Sequence, residues 1–390
     1  MSGDQFDDIR PYRDEEMQAV FARLTANAEL LDALSSFRYP WASRWLPRLM
    51  RPLAETYLRR RTAGMTTIDE FQSSLTVLFD HIIATTSDGF SWSGLEGLDP
   101  ERAYLFVSNH RDIAMDSAFV NYATHAAGMG TVRIAIGDNL LKKGFVADLM
   151  RLNKSFVVQR SLKGMKEQFA AFLRTSSYLQ HSIGVDGQSC WIAQREGRAK
   201  DGDDRTDPAI LKMFFVSQRK SGRSFGEVLA DLHIVPVAVS YELDPCAGMK
   251  ARELALRERD GSYVKPDDED LRSIVTGITG AKGRVHVHFG SELTTPAEDP
   301  DLCALALDRE IHAGFRLFPT HLEAARRSGV AVPAALAAEV GAGVADVMSR
   351  FDQMIAGADE IQRRWLLAQY AQPVRARLAV DEVIAPLEVV

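Results

Sequence analysis

The chain has 390 residues, 46% of them hydrophobic, enough for a sizeable core in one large domain with appendages or in two domains. Its formal charge of −7 argues against a nucleic-acid partner, because proteins that track phosphates carry a dominant basic footprint. The three cysteines, Cys190, Cys246 and Cys303, lie far apart without a C-x-x-C pair, which suggests neither a disulfide framework nor a metal site and fits a reducing cytosol.

Residues 1–13 are polar and acidic, unlike a signal peptide, and no apolar run reaches the roughly 18 residues of a spanning helix. From 14 to 87 the apolar spacing is helical, in Met17, Val20, Phe21 and Leu24 and again in Phe71, Leu75, Leu78, Phe79 and Ile82, which predicts an amino-terminal helical subdomain over 1–88. Within it, 37–61 carries Arg38, Arg44, Arg48, Arg51, Arg59, Arg60 and Arg61 against one acid, Glu55. Trp41, Trp45, Leu49, Leu53 and Tyr57 recur every fourth residue, an aromatic and aliphatic stripe beside the arginines, and Pro40, Pro47 and Pro52 divide it into short or kinked helices. Two readings stay open: the stripe meets an anionic membrane surface, where each arginine contributes about 1 kcal/mol, or it packs on the next domain.

From 89 to 299 short β-rich runs alternate with helical ones, the pattern of an α/β domain. The expected strands are 103–108, 132–137, 155–159, 190–194, 234–241 and 284–289, and the expected helices 113–127, 165–180 and 267–278. Polar, turn-rich loops fall at 201–204 and 221–223. The remainder, 300–390, reads as a helical appendage with helices over 302–318, 332–355 and 360–370.

Four segments of the α/β region carry chemistry. Tyr104-Leu105-Phe106-Val107 opens into Ser108-Asn109-His110-Arg111-Asp112-Ile113-Ala114-Met115-Asp116, a buried strand delivering a histidine and two carboxylates to a strand-to-helix turn. An imidazole takes protons near neutral pH, and a carboxylate on its far nitrogen fixes the tautomer and stabilises the imidazolium, so His110 reads as a general base. With a helix starting near Asp112, that residue caps it and Asp116, one turn on, is the preferred partner of His110; the inverse assignment stays open. The plainer alternative is a strand-turn-helix junction with a surface histidine.

The second segment, 153–160, is a strand with Lys154 at its start and Arg160 at its end, suited to gripping phosphate or to a strand-end ion pair. The third, 191–200, is a strand ending in Glu196-Gly197-Arg198 and Lys200. It reads either as a phosphate pocket that a backbone can approach closely at Gly197 or as a charged turn with internal pairing. The fourth, 234–242, has Pro236 early in an apolar run, placing it near a strand start or on an edge.

In this order, over roughly 100–295, the four segments resemble the glycerolipid acyltransferase family. Two spacings depart from that family's pattern. Members place four residues between histidine and aspartate, whereas His110 is separated from Asp112 by one and from Asp116 by five; and the family's glutamate-glycine-x-arginine lacks its intervening residue here.

The resemblance implies a mixed β-sheet flanked by helices and direct acyl transfer from a thioester, on acyl-CoA or acyl carrier protein, with no metal or other cofactor. The acceptor would be a hydroxyl of a phosphate-bearing glycerol, lysophosphatidate ahead of glycerol 3-phosphate, dihydroxyacetone phosphate or an amino-acid lipid. His110 would take the hydroxyl proton with Asp116 in support, and Arg160 would contact the acceptor's phosphate, with Lys154, Glu196, Gly197, Arg198 and Lys200 around it. Arg111 would assist or pair with Asp112. With the membrane reading of 37–61 the enzyme would be cytoplasmic and peripheral on the inner face of the membrane. A rival from another class is a noncatalytic lipid- or membrane-binding protein on the same fold. Cys190 is disfavoured as a nucleophile, since it sits in an apolar strand without a basic neighbour.

Overall fold

The structure, a computed structural model, describes residues 5–38, 41, 45 and 47–384. Its strands are β1 Phe90–Ser93, β2 Leu105–Ser108, β3 Arg133–Gly137, β4 Ser155–Val158, β5 Cys190–Ala193, β6 Ile234–Tyr241 and β7 Val285–Phe289. Six lie where the sequence places them; β1, four residues long with two serines, lacks the apolar run that marks the others. The chain packs as two compact units, Met1–Leu78 with Arg133–Tyr178 and Phe79–Val132 with Leu179–Val390, so packing does not follow the sequence boundaries at 88 and 299.

In the second unit five strands run in the order β1-β7-β6-β2-β5. β2 is parallel to β5 and β6, and β1 to β7, while β6 and β7 are antiparallel. This is the mixed sheet of an α/β fold. β2, β5 and β6 are buried along their whole length, which is why they read as unbroken apolar runs rather than alternating ones. The helix Met115–Ala126 covers one face, with Phe119 stacked on Phe90 at 4.9 Å and edge-on to Tyr241 at 5.9 Å. Pro300–Gly314 covers the other, where the backbone N–H after Phe315 donates to Ser240 Oγ at 2.9 Å. Because β2, β5 and β6 are parallel, the loops that follow them leave from one edge of the sheet.

Pro236 is not on an edge strand. β6 lies between β2 and β7, and Pro236 sits third in it, at the position where the β7 ladder ends and Gly290 N–H donates to the Pro236 carbonyl at 2.8 Å. Its missing N–H therefore removes only the outermost bond of that ladder.

The carboxy-terminal helices are built into this unit rather than appended. Leu322, Phe351, Leu366, Tyr370 and Val374 form one buried cluster with Ala238 of β6 and with Ala247 and Ala251 of the helix Ala247–Asp260. The expected helix over 332–355 breaks at Gly341, φ 76°, into Ala334–Val340 and Ala345–Ala356. The last helix, Glu360–Ile384, runs through Pro373, whose missing N–H frees the Gln369 carbonyl. Gly202, φ 85°, packs against that carbonyl so closely that a Cβ there would lie 2.4 Å from its oxygen.

The first unit packs Met17, Val20, Phe21 and Leu24 of Asp14–Ala26 against Ile68 and Leu152, with β3 and β4 as a parallel pair. Ala28–Arg38 and Pro47–Thr62 lie against each other, joined by Arg51, whose Nε and Nη2 each reach a carboxylate oxygen of Asp32 at 2.6 Å. Among the described residues no helix is long and apolar enough to cross a membrane.

Candidate active site

The site grows from the end of β2. Asn109 is fully buried, and its side chain mimics one more residue of sheet: Oδ1 accepts the Val239 N–H at 2.8 Å and Nδ2 donates to the Val239 carbonyl at 3.0 Å. That fixes where the chain leaves the sheet and where His110 points. His110 Nδ1 lies 2.9 Å from Asp116 Oδ2; the carboxylate is fully buried and the imidazole keeps an edge in solvent.

Asp116 binds more than the imidazole. Oδ2 also accepts the N–H of Arg111 at 2.6 Å and of Asp112 at 2.9 Å, and Oδ1 accepts the Tyr241 hydroxyl at 2.7 Å. Burial pushes the Asp116 carboxyl up, but the His110 bond and charge, the Asp112 N–H and the Tyr241 hydroxyl outweigh it, so it is held below the usual carboxylate range. With the carboxylate ionised, Nδ1 carries the proton and Nε2 presents its lone pair, a tautomer assigned from the hydrogen bonds.

The helix begins at Met115, three residues later than the sequence suggests, and Asp112 caps it from the preceding turn, its Oδ1 accepting the N–H of Ala114 at 3.0 Å and of Met115 at 2.9 Å. Burial and then the nearby Asp116 charge raise the Asp112 carboxyl. Gly277, on the helix Glu269–Thr279, passes so close that a Cβ there would stand 2.1 Å from Asp112 Oδ2.

Arg111 does not pair with Asp112. Its guanidinium is buried on Asp204 Oδ2, at 2.6 and 3.1 Å, and stacks over Phe315 at 5.3 Å, while its carbonyl accepts the buried Lys250 ammonium at 2.6 Å. It is an internal ion pair that anchors the His110 turn to the 202–204 loop.

The turn after β5 reaches the same place, since the Ala199 N–H donates to the His110 carbonyl at 2.9 Å. Gly197 takes φ 77°, a left-handed conformation that lets the turn close without an intervening residue. Arg198 Nη2 donates to Ser273 Oγ at 3.4 Å, and Nη1 is buried with no hydrogen-bond partner among the described residues. Lys200 is paired with Glu253 and burial lowers its ammonium, and Glu196 is exposed.

The structure thus brings His110, Asp116, Tyr241 and the Arg198 turn together. Lys154 and Arg160 belong to the first unit, where Lys154 pairs with Asp69 at 2.9 Å and the Arg160 N–H donates to Asp138 at 3.1 Å. Tyr241, Asp204, Ser273 and Gly277 escaped the sequence reading. Tyr241 had a signal, as the polar end of the buried fourth segment; the others lie 90 or more residues from the histidine, with nothing local to mark them.

Residues 90–240 match the family model described as Acyltransferase. That segment is similar to the acyltransferase family. Among solved structures the 1-acyl-sn-glycerophosphate (LPA) acyltransferase PlsC from Thermotoga maritima is similar over 73% of this chain and 88% of that chain, at 14% identity and a TM-score of 0.30. No curated protein sequence matches. The acyltransferase segment spans β1 to β6, so the groups that close the site from Tyr241 onward, Ser273 and Gly277 among them, come from outside it.

Proposed function

We propose that the chain transfers a fatty acyl group from a thioester, acyl-CoA or an acylated carrier protein, to a hydroxyl of a phosphate-bearing glycerol acceptor, lysophosphatidate first, in phospholipid synthesis. The observation that carries this reading is the His110–Asp116 pair, an imidazole at the solvent edge on a wholly buried carboxylate.

His110 Nε2 removes the hydroxyl proton as the oxygen attacks the thioester carbonyl, and Asp116 stabilises the imidazolium. The tetrahedral intermediate collapses with loss of thiolate, which takes the proton from Nε2, leaving ester and thiol and restoring the imidazole. Arg198, on the turn bonded to His110 and with Nη1 unsatisfied among the described residues, is the candidate for holding the acceptor's phosphate so that its hydroxyl meets His110. Glu196 and Gly197 are secondary candidates for contacts to that acceptor; Arg111 and Lys200, already committed to Asp204 and Glu253, are not.

We assign the 41–57 stripe to an anionic membrane and propose an enzyme peripheral on the cytoplasmic face, the surface that would hold an insoluble acceptor. What supports this is exposure: Trp41 and Trp45 stand 81% and 70% accessible, and Leu49, Leu53 and Tyr57 are exposed with them, where packing on a neighbouring domain would have buried them. Pro40, Arg44 and the side chain of Arg48 lie outside the described residues.

The test is thiol release from long-chain acyl-CoA, and from an acylated carrier protein, with lysophosphatidate, glycerol 3-phosphate or no acceptor. Release should depend on acceptor and fall about 10² to 10⁴ fold in His110→Ala, the usual scale of general-base catalysis. Turnover that survives the substitution overturns the mechanism, and the better acceptor names the substrate.

A further inference from the structure

The first unit carries a second exposed apolar stripe, on a helix that the catalytic reading leaves unused. In Met165–Gly184 the side chains of Met165, Phe169, Phe172 and Leu173 recur at spacings of four, seven and eight, the signature of one helix face. Such a face is normally turned into a core. Here Met165 is 87% and Phe169 50% accessible, and Phe172 and Leu173 are exposed beside them.

The surroundings of the stripe say what would cover it. Lys163 and Lys166 are exposed at its start, and the only acid on this first turn, Glu167, falls on the opposite flank by helical spacing. Its base is linked to the 138–143 loop, because Asp138 accepts the N–H groups of Arg160 at 3.1 Å and Ser161 at 3.2 Å. That loop exposes Lys142 and Lys143, and Lys143 pairs with Glu29 of Ala28–Arg38 at 2.9 Å, the helix lying against Pro47–Thr62. A run of lysines therefore leads, within one unit, from this stripe to the helical pair of the 41–57 stripe. Long apolar side chains without hydrogen-bonding groups, fringed by cations of one sign, suit the interface of an anionic bilayer better than a protein surface, which would offer paired polar groups.

We infer that the Met165–Leu173 face is a second membrane contact, so that the first unit lies on the bilayer through two apolar stripes joined by the Lys142, Lys143, Lys163 and Lys166 fringe. The inference rests on the peripheral-membrane reading given above. Two contacts fix an orientation, where a single stripe would leave the protein free to pivot.

Sedimentation of the full chain with vesicles, of phosphatidylcholine alone or mixed with phosphatidylglycerol, separates the possibilities. Phe169→Glu with Phe172→Glu should lower the partition coefficient on the mixed vesicles at least about tenfold, since each buried phenylalanine carries that much. Lys166→Glu, which leaves the apolar face intact and serves as the check on folding, should lower it about fivefold or more, an effect erased by salt. Wild-type-like binding of both variants, while Trp41→Glu with Trp45→Glu releases the protein, overturns the second contact and leaves the first. No binding of the unaltered chain removes both. A stable dimer in solution that the phenylalanine substitutions convert to monomer assigns the face to a second copy and also overturns the inference.

Discussion

Asp116→Asn isolates the charge of the site from its shape. The carboxylate uses Oδ2 for three N–H donors, from His110, Arg111 and Asp112, and Oδ1 for the Tyr241 hydroxyl. An asparagine with its oxygen in the Oδ2 position keeps all three, and its amide donates to the Tyr241 oxygen once that hydroxyl rotates to accept. The turn survives and only the negative charge is lost. Opposite charges about 4 Å apart at an effective dielectric near 20 attract by about 4 kcal/mol, which is the stabilisation the imidazolium forfeits as it forms. That corresponds to about a 10³-fold fall in kcat. The assay is acceptor-dependent thiol release at saturating thioester, with a urea melt run beside it to show the fold unchanged. Asp112→Asn is the contrast: it weakens a cap and should leave kcat within about tenfold of the wild type, because Asp112 touches the turn and not the imidazole. An Asp116→Asn enzyme within tenfold of wild type, or an equal loss in Asp112→Asn, would refute the assigned roles.

Three further outcomes follow from the contacts. Arg198→Ala should raise KM for the phosphate-bearing acceptor about 10 to 100 fold, the value of one or two charged hydrogen bonds, with KM for the thioester unmoved; steady-state kinetics in both substrates checks it. Arg111→Ala should act on stability, costing about 3 to 5 kcal/mol by leaving Asp204 buried and unpaired, which denaturant unfolding reads directly. Lys282 is fully buried with its ammonium on Thr86 Oγ1 and the Ile278 and Gly280 carbonyls, and burial pushes it down to about 8. An unfolded lysine keeps its proton to about 10.4, so between these values the unfolded chain holds more protons and stability rises with pH. The urea midpoint should climb across that range relative to Lys282→Met, and a parallel pair of curves would refute it.

β2, β4, β5 and β6 were legible because each is a largely apolar run bounded by polar turns, which is what burial on both faces writes into a sequence, while β7 alternates valine with histidine. β1 was invisible because half its residues are serines bonded to histidines of β7: Ser91 Oγ lies 2.8 Å from His286 Nδ1, and Ser93 Oγ 2.9 Å from His288 Nδ1. A polar ladder of this kind has no apolar period to read. Pro236 lies near a strand start, one of the two places read for it, but in a central strand, which tolerates proline where a neighbouring ladder ends. Among site residues, His110 and Asp116 were legible from local chemistry, and the Arg111 pair was not, because Asp204 comes from a loop 93 residues away whose polar composition said only that it is a loop.

The two spacings that depart from the family pattern have one physical explanation each, and both concern how a turn is closed. Here the helix starts at Met115, and Asp116, its second residue, reaches back over the intervening turn to collect the N–H groups of Arg111 and Asp112 as well as His110. The carboxylate therefore organises the loop that presents the base it supports. Its ionised state and the shape of the turn are coupled: after the His110 bond and charge, the Asp112 N–H helps hold Asp116 below the usual carboxylate range, and that backbone group would be left buried and unbonded if the carboxylate were truncated. The Glu196-Gly197-Arg198 turn closes one residue shorter because Gly197 takes a left-handed conformation, after which the Ala199 N–H meets the His110 carbonyl. That hydrogen bond ties the two turns together.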